Sequence, residues 1–154
     1  MSNYKISEIN IYPIKSCGRI SVKSAKIEKR GLRHDRRWLL VDENNFFITQ
    51  RHFPKMTFIN IEIKDDCLVV SDKRGIQSDI VVPFEIENNG FEKVIIWEDT
   101  VDAKFYGNEI NQWFSDLLDE KLRLVFMPDD TERKVSNKVK ENNAIVSFAD
   151  GYPF

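Results

Sequence analysis

The chain has 154 residues, which is enough for one domain with a sizeable hydrophobic core. Its 23 basic and 25 acidic side chains give a formal net charge of -2, which offers no broad field for a polyanion and argues against a nucleic-acid-binding protein. Two cysteines are too few for a disulfide-stabilised secreted scaffold, and neither a signal peptide nor a membrane-spanning apolar run is recognisable. We therefore expect a cytoplasmic protein that does not bind a membrane.

Apolar residues recur with a period of two along most of the chain, which predicts β-strands. The first alternating segments are residues 4–12, where Pro13 ends the strand, and residues 20–27. The continuous apolar run at residues 38–41 predicts a strand buried on both faces, joined by a polar turn at residues 42–45 to residues 46–48 as a hairpin. Further segments bring the total to about nine strands before residue 106: residues 56–63, 67–70, 80–82, 94–97 and 101–105.

One clear α-helix is predicted near residues 108–119, because five apolar residues follow the spacing of one helical face: Ile110, Trp113, Phe114, Leu117 and Leu118. Asn108 is the expected N-cap. Residues 122–126 predict one more strand, whereas residues 128–143 are charged and aperiodic and predict an exposed or partly disordered loop. The whole pattern predicts a mainly β, barrel-like domain with a single helix.

Residues 12–18 (YPIKSCG) combine the end of a strand with three reactive side chains. Lys15 offers an ammonium and Ser16 a hydroxyl donor. Cys17 could be a nucleophile, a metal ligand or a small buried residue. The alternative is an ordinary polar turn, and the residues by themselves favour that alternative.

Residues 30–38 hold four arginines and a histidine directly before the doubly buried strand, in which Trp38 is expected to belong to the core. The planar fork of arginine suits phosphate or carboxylate, and Asp35 can hold one arginine in place. The alternative is a solvated basic turn, whose ion pairs contribute about 0–1 kcal/mol each. Arg51 follows a later strand and can join a common anion pocket. His34 and His52 lack metal-ligand spacing, so no metal site is expected.

Taken in order, these segments resemble the N-terminal β-barrel domain of MOSC proteins, a group that includes the mitochondrial amidoxime-reducing component and bacterial YcbX-type proteins. The resemblance covers nearly the whole chain. It is carried by residues 11–17 (IYPIKSC), Gly31 and Leu32, Asp35 and Arg36, Trp38, residues 49–51 (TQR) with Pro54, Trp113 and Phe114, residues 122–125 (LRLV) and residues 147–153 (SFADGYP).

The resemblance implies a pterin-based molybdenum cofactor and the reduction of N-hydroxylated substrates. It implies that Lys15, Ser16 and Arg36 help to hold the anionic cofactor at one edge of the barrel, with Arg51 as a weaker candidate. It further implies that residues 1–143 form the N-terminal domain and that residues 144–154 begin a truncated MOSC domain. In the family, the molybdenum-ligating cysteine lies far into the MOSC domain. We therefore expect no catalytic residue, no metal ligand and no activity in this chain alone.

The expected function is thus that of the N-terminal part of a molybdenum-cofactor-binding MOSC oxidoreductase, with the cofactor complete only in a full-length protein. The expected partners are the C-terminal MOSC domain of the same polypeptide and a redox protein. The alternative is a non-enzymatic β-barrel module that binds an anionic ligand or a protein through its arginines. A reading frame that continues past Phe154 into a domain with a suitable cysteine favours the enzyme.

Overall fold

The computed structural model describes residues 5–87, 90–135 and 144–150. They form a mainly β fold with one α-helix, as predicted. The strands are β1 (Ile9–Ile11), β2 (Ile20–Val22), β3 (Ile27–Glu28), β4 (Gly31–Leu32), β5 (Trp38–Val41), β6 (Ile59–Lys64), β7 (Cys67–Asp72), β8 (Ile80–Pro83), β9 (Glu92–Ile96), β10 (Asp99–Phe105) and β11 (Arg123–Phe126). A 3₁₀ helix (Pro54–Phe58) precedes β6, and helix α1 (Asn108–Leu118) connects β10 to β11.

The described strands pair in antiparallel fashion in a four-stranded, a three-stranded and two two-stranded sheets. The four-stranded sheet has the order β5-β11-β10-β9, and its β5 pairs with β11 from Trp38 opposite Phe126 to Val41 opposite Arg123. The three-stranded sheet is the meander β6-β7-β8, while β1 pairs with β2 and β3 with β4. The long-range pairing of β5 places the basic segment that precedes it beside the end of β11.

Strand β5, at one end of the four-stranded sheet, is buried on both faces. Trp38 and Leu40 enter a core shared with the meander and α1, whereas Leu39 and Val41 enter a second core on the opposite face. All four side chains are at most 1% exposed, which confirms the predicted doubly buried strand. Phe148, from the segment 144–150, is fully buried in the second core, so this segment packs against the same sheet.

Helix α1 buries the predicted apolar face, but its N-cap is Gly107 and not Asn108, which is the first helical residue. The side chain that ties the helix to the sheet is that of Asn111. Its Nδ2 donates to the carbonyl oxygen of Tyr106 at 3.0 Å, and its Oδ1 accepts from the N–H of Leu124 at 2.9 Å. Among the described residues, no helix is both long and apolar enough to cross a bilayer.

Four strand predictions need correction. Of the described part of residues 4–12, only Ile9–Ile11 form a strand, and Ile6 is 82% exposed. Residues 46–48 meet β5 and β9 through isolated bridges, so the hairpin lacks a regular second strand. Met56 and Phe58 lie in the 3₁₀ helix that begins at Pro54, because proline suits the first turn of a helix and the extended chain begins only at Ile59. Ile27 is 73% exposed, and the segment 20–27 divides into β2 and β3 instead of presenting one buried face.

The charged segment that begins at residue 128 is more buried than predicted. Thr131 is 7% exposed, and two arginines of the basic segment bind this region. Arg30 donates to the carbonyl oxygens of Thr131 and Asp129 at 3.0 and 2.9 Å, and Arg37 donates to that of Met127 at 3.0 Å. These guanidinium groups satisfy carbonyls that have no strand partner, so Arg30 and Arg37 are structural. Residues 136–143 lie outside the described residues.

Candidate anion-binding site

The turn that carries Lys15 is fixed to the start of β5. The N–H of Lys15 donates to the carbonyl oxygen of Trp38 at 2.9 Å, and the N–H of Trp38 donates to that of Pro13 at 3.1 Å. Pro13 accepts but cannot donate, as predicted for the end of a strand. The N–H of Gly18 then donates to the carbonyl oxygen of Ile59 at 2.9 Å and closes the turn. The turn that carries Lys15 is therefore held by two different sheets.

Arg36 is bound to the same turn through Tyr12. Its N–H donates to the carbonyl oxygen of Tyr12 at 2.8 Å, and its guanidinium lies 4.5 Å from the centroid of the Tyr12 ring. That guanidinium also donates to Asp35, whose other carboxylate oxygen accepts from the N–H of Tyr12 at 2.8 Å. Asp35 is 3% exposed, so the prediction that it holds one arginine in place is confirmed for Arg36.

The side chain of Lys15 is almost fully buried, yet its partner lies at the surface. Lys15 is 4% exposed and forms an ion pair with Asp150, whose side chain is 64% exposed. The indole N–H of Trp97 donates to the same oxygen of Asp150 at 2.8 Å. Two donors, one of them charged, thus converge on a single oxygen, which is an arrangement that suits an oxyanion.

Arg133 holds the backbone that carries Asp150. Its Nη1 donates to the carbonyl oxygens of Ser147 and Ala149 at 3.0 and 2.7 Å, and its Nε donates to Asp99 at 2.7 Å. Arg133 is 8% exposed, so these contacts are shielded from water. The segment 144–150 is therefore anchored through its main chain to the start of β10.

Burial and neighbouring charges shift both members of the ion pair. Burial lowers the pKa of Lys15, the charges of Arg133 and Arg36 lower it further, and the contact with Asp150 offsets only part of this effect. Burial alone would raise the pKa of Asp150, but hydrogen bonds from Lys15 and Trp97 hold that pKa below its ordinary value. We define the Lys15 site by six residues: Lys15, Ser16, Arg36, Trp97, Arg133 and Asp150.

Three members of the Lys15 site have a left-handed backbone: φ is 64° at Ser16, 48° at Arg36 and 54° at Trp97. A side chain with a Cβ disfavours this region. Trp97 begins the two-residue turn between β9 and β10, where glycine, asparagine or aspartate is usual. Such strain costs about 1–3 kcal/mol per residue and concentrates at functional sites. Its presence at three neighbouring positions supports a functional role for this region.

The structure brings together only some of the predicted cofactor-binding residues. The charge of Arg36 is close enough to Lys15 to lower the pKa of its ammonium. Ser16 follows Lys15 on the same turn, and no hydrogen bond joins its hydroxyl to another described residue. Arg51 is exposed, its N–H donates to Thr49 Oγ1 at 3.3 Å, and no contact among the described residues joins its side chain to Lys15. The cofactor-binding roles of all four residues stay predictions.

Cys17 and His34 are structural in this fold. Cys17 is 3% exposed within the main core, and burial raises the pKa of its thiol, so it is the small buried residue among the predicted alternatives. His34 packs against Phe84 with ring centroids 4.8 Å apart, and burial lowers its pKa. Within residues 5–87, 90–135 and 144–150, no group of three or more histidine, cysteine or acidic residues could hold a metal ion.

Sequence reasoning assigned no role to Trp97, Arg133 or Asp150. Arg133 lies in the segment predicted to be exposed, and no local pattern distinguishes it from its charged neighbours. Trp97 gave no signal, because an aromatic residue at the end of an apolar run is typical of a strand. Asp150 belongs to the run SFADGYP that supported the resemblance, but its partner lies 135 residues away in the sequence.

Comparison with known proteins agrees with the expected family. The model of the MOSC N-terminal beta barrel domain matches residues 3–121. The chain is 29% identical to mitochondrial amidoxime reducing component 2 of Bos taurus, in an alignment that covers 96% of this chain and 46% of the bovine protein. It is 26% identical to the molybdenum cofactor sulfurase of Bombyx mori, with 94% of this chain and 19% of that protein covered. The chain thus spans less than half the length of these relatives.

A solved structure shows the same fold. The solution structure of a Bordetella bronchiseptica protein superimposes with a TM-score of 0.54 and covers 73% of this chain and 95% of that protein. The two sequences are 18% identical, so this likeness concerns the fold alone. The match to the family model, which extends over most of the chain, and the mainly β architecture with one helix lead to the same conclusion. The chain belongs to the MOSC N-terminal beta barrel domain family.

Proposed function

We propose that this chain is the N-terminal part of a molybdenum-cofactor-binding MOSC oxidoreductase and that its Lys15 site helps to hold the anionic cofactor during reduction of N-hydroxylated substrates. The relatives named for amidoxime reduction and for molybdenum cofactor sulfuration support this class. The observation that carries the proposal is a lysine only 4% exposed whose counter-charge is a surface carboxylate. A buried ammonium is costly to maintain, and a fold that retains one beside an accessible surface offers it to a ligand.

The donors of the Lys15 site fit a phosphate-bearing group. Lys15 supplies a point charge, Trp97 supplies a neutral N–H, and Ser16 supplies a hydroxyl for which the described residues offer no partner. Arg36 adds a planar guanidinium fixed by Asp35. When bound, the cofactor would supply redox chemistry at molybdenum. The residues of this chain would bind and orient its anionic end.

In this proposal the C-terminal MOSC domain of the same polypeptide completes the cofactor site and provides the metal ligand. The 154-residue chain is inactive by itself. A redox partner supplies electrons to the complete protein in the cytoplasm, and neither nucleic acid nor a membrane takes part.

The test uses the parent protein that this proposal requires, in which a C-terminal MOSC domain follows this chain. Molybdenum and pterin are measured per mole of purified protein for the wild type, Lys15→Met and Arg36→Gln. Loss of one charge-assisted hydrogen bond lowers affinity about tenfold or more, so both variants are expected to retain much less cofactor. Arg33→Gln is the matched control, because Arg33 is an exposed arginine of the same basic segment. Wild-type cofactor content in folded Lys15→Met would overturn the proposal.

A non-enzymatic module that binds an anionic ligand or a protein partner is the second candidate. It is favoured by the fact that Lys15, Arg36, Trp97 and Arg133 all belong to this chain, so an anion can be bound without another domain. A reading frame that stops at codon 154, combined with anion binding by the 154-residue chain, would establish this alternative. A downstream MOSC domain whose cysteine binds molybdenum would exclude it.

A further inference from the structure

The Asp150 carboxylate accepts the two donors that a ligand anion would use, namely the ammonium of Lys15 and the indole N–H of Trp97. We propose that Asp150 is a built-in competitor, so that its carboxylate occupies the anion position of the Lys15 site and a phosphate monoester binds by displacing it. This inference rests on the proposed function and deepens it. It identifies the phosphate as the part of the ligand that this chain recognises.

The carboxylate can leave without disturbing the backbone that carries it. The segment is anchored by Arg133 through the carbonyl oxygens of Ser147 and Ala149, and neither bond involves the Asp150 side chain. Both described donors to that side chain reach one oxygen, Oδ1, and the side chain is 64% exposed. Rotation of Asp150 into water therefore breaks two contacts and leaves the main-chain anchor in place.

The donors, in contrast, are held rigidly. Lys15 is buried, and its backbone is bonded to that of Trp38 at 2.9 Å. The Trp97 ring packs against Phe47 with centroids 4.8 Å apart, and its backbone is fixed in a left-handed turn. Fixed donors that face a solvent-exposed acceptor form a site organised for exchange of the acceptor, because little conformational freedom of the donors is lost when a new anion arrives.

Charge favours a phosphate monoester over the carboxylate. Arg36 and Arg133 keep their own acidic partners, Asp35 and Asp99, so displacement leaves the charge of Lys15 uncompensated. A monoester carries about -1.5 to -2 charges at pH 7 and three acceptor oxygens. It can therefore accept from both released donors through different oxygens and also gain from the field of the two arginines.

The test follows the indole N–H signals of the ¹⁵N-labelled 154-residue chain by NMR while methyl phosphate is added. The three tryptophans provide one reporter and two internal references, because Trp97 donates to Asp150 whereas Trp38 donates to Tyr106 Oη and Trp113 to a backbone carbonyl. Saturable movement of the Trp97 signal, with the other two unchanged, is expected. The same titration with inorganic phosphate and with sulfate distinguishes the monoester from other oxyanions.

Variants of Asp150 and of Lys15, together with one control, decide between the outcomes. Asp150→Asn is expected to bind methyl phosphate about tenfold more tightly, since a charged competitor has been removed, and Lys15→Met is expected to lose binding. Asp129→Asn is the control, because Asp129 is an exposed carboxylate paired with a buried arginine elsewhere, and its affinity should equal that of the wild type. Asp150→Ser repeats the test if the asparagine variant does not fold.

The binding data separate the role of Asp150 from the existence of the anion site. Equal or weaker binding by Asp150→Asn and Asp150→Ser, with binding still lost in Lys15→Met, would refute the role of Asp150 and leave the anion site intact. Absence of saturable binding in every variant, or wild-type binding by Lys15→Met, would refute the anion site and with it the proposed function of these residues. Equal movement of all three indole signals would indicate a general salt effect and also count against the site.

Discussion

Replacing the two members of the Lys15–Asp150 pair is expected to change stability in opposite directions. Lys15 is 4% and Asp150 64% exposed, so most of the desolvation cost falls on the lysine. Lys15→Met removes the buried charge and keeps the apolar stem, which is expected to raise the free energy of unfolding by about 1–2 kcal/mol. Asp150→Asn leaves a buried ammonium without its counter-charge and is expected to lower the free energy of unfolding by about 1–3 kcal/mol, since solvent screens part of the pair.

Urea denaturation of the 154-residue chain, followed by circular dichroism and extrapolated linearly to water, measures both changes. Lys121→Met is the matched control for Lys15→Met, because Lys121 pairs with Glu43 at the surface, where the two side chains are 79% and 56% exposed. Its free energy of unfolding should change by no more than about 0.5 kcal/mol. Destabilisation of Lys15→Met by more than about 1 kcal/mol would refute the reasoning, since Lys15 would then be needed for the fold and not kept for a ligand.

Three further predictions concern the surroundings of this pair. Gly18→Ala is expected to cost about 1–3 kcal/mol, because a Cβ would lie 2.6 Å from the carbonyl oxygen of Ile59 and a backbone must move. Tyr106→Phe is expected to cost about 1–3 kcal/mol, because the buried indole N–H of Trp38 loses its acceptor. The pKa of Asp150 is lowered from 3.8, so its stabilising contribution is present above pH 3.8 and is lost as the pH falls through the lower folded-state pKa.

Each of these predictions has its own control. Gly107→Ala is the control for Gly18→Ala, since a Cβ at Gly107 meets no atom within 4 Å. An equal loss of stability in both variants would contradict the predicted clash at Gly18. Tyr12→Phe is the control for Tyr106→Phe. A larger decrease in the free energy of unfolding for Tyr12→Phe than for Tyr106→Phe would contradict the role of the Tyr106 hydroxyl. Acid unfolding of the wild type is compared with that of Asp150→Asn, and their difference in stability should shrink below pH 3.8. A difference that does not vary with pH would argue against the ion pair.

The fold was predictable where local pattern and burial agree. Four consecutive apolar residues predicted β5, because a strand buried on both faces has no polar side, and the apolar face of α1 is legible for the same reason. The pattern misled at Met56, where an apolar residue in a 3₁₀ helix looks like part of the following strand. It also misled at Arg133, because a charged residue can be buried once carbonyl acceptors from a distant segment surround it.

The candidate site was only half predictable, because its contacts are non-local. Lys15 and Arg36 were identified by resemblance, and the structure shows that Arg36 is bound to Tyr12, three residues before Lys15. Their environment depends on Asp150, which is 135 residues from Lys15 and 53 from Trp97 in the sequence. Periodicity reports the orientation of each side chain within its own element and carries no information on pairs across such separations. The ion pair and its partly exposed geometry therefore required the structure.

A crystal structure of the parent protein with bound molybdenum cofactor tests the role of the Lys15 site most directly. We predict that the ammonium of Lys15 lies about 2.7–2.9 Å from a phosphate oxygen of the cofactor, with the Asp150 carboxylate displaced towards solvent. A cofactor bound elsewhere, with Lys15 still paired to Asp150, would contradict the proposal.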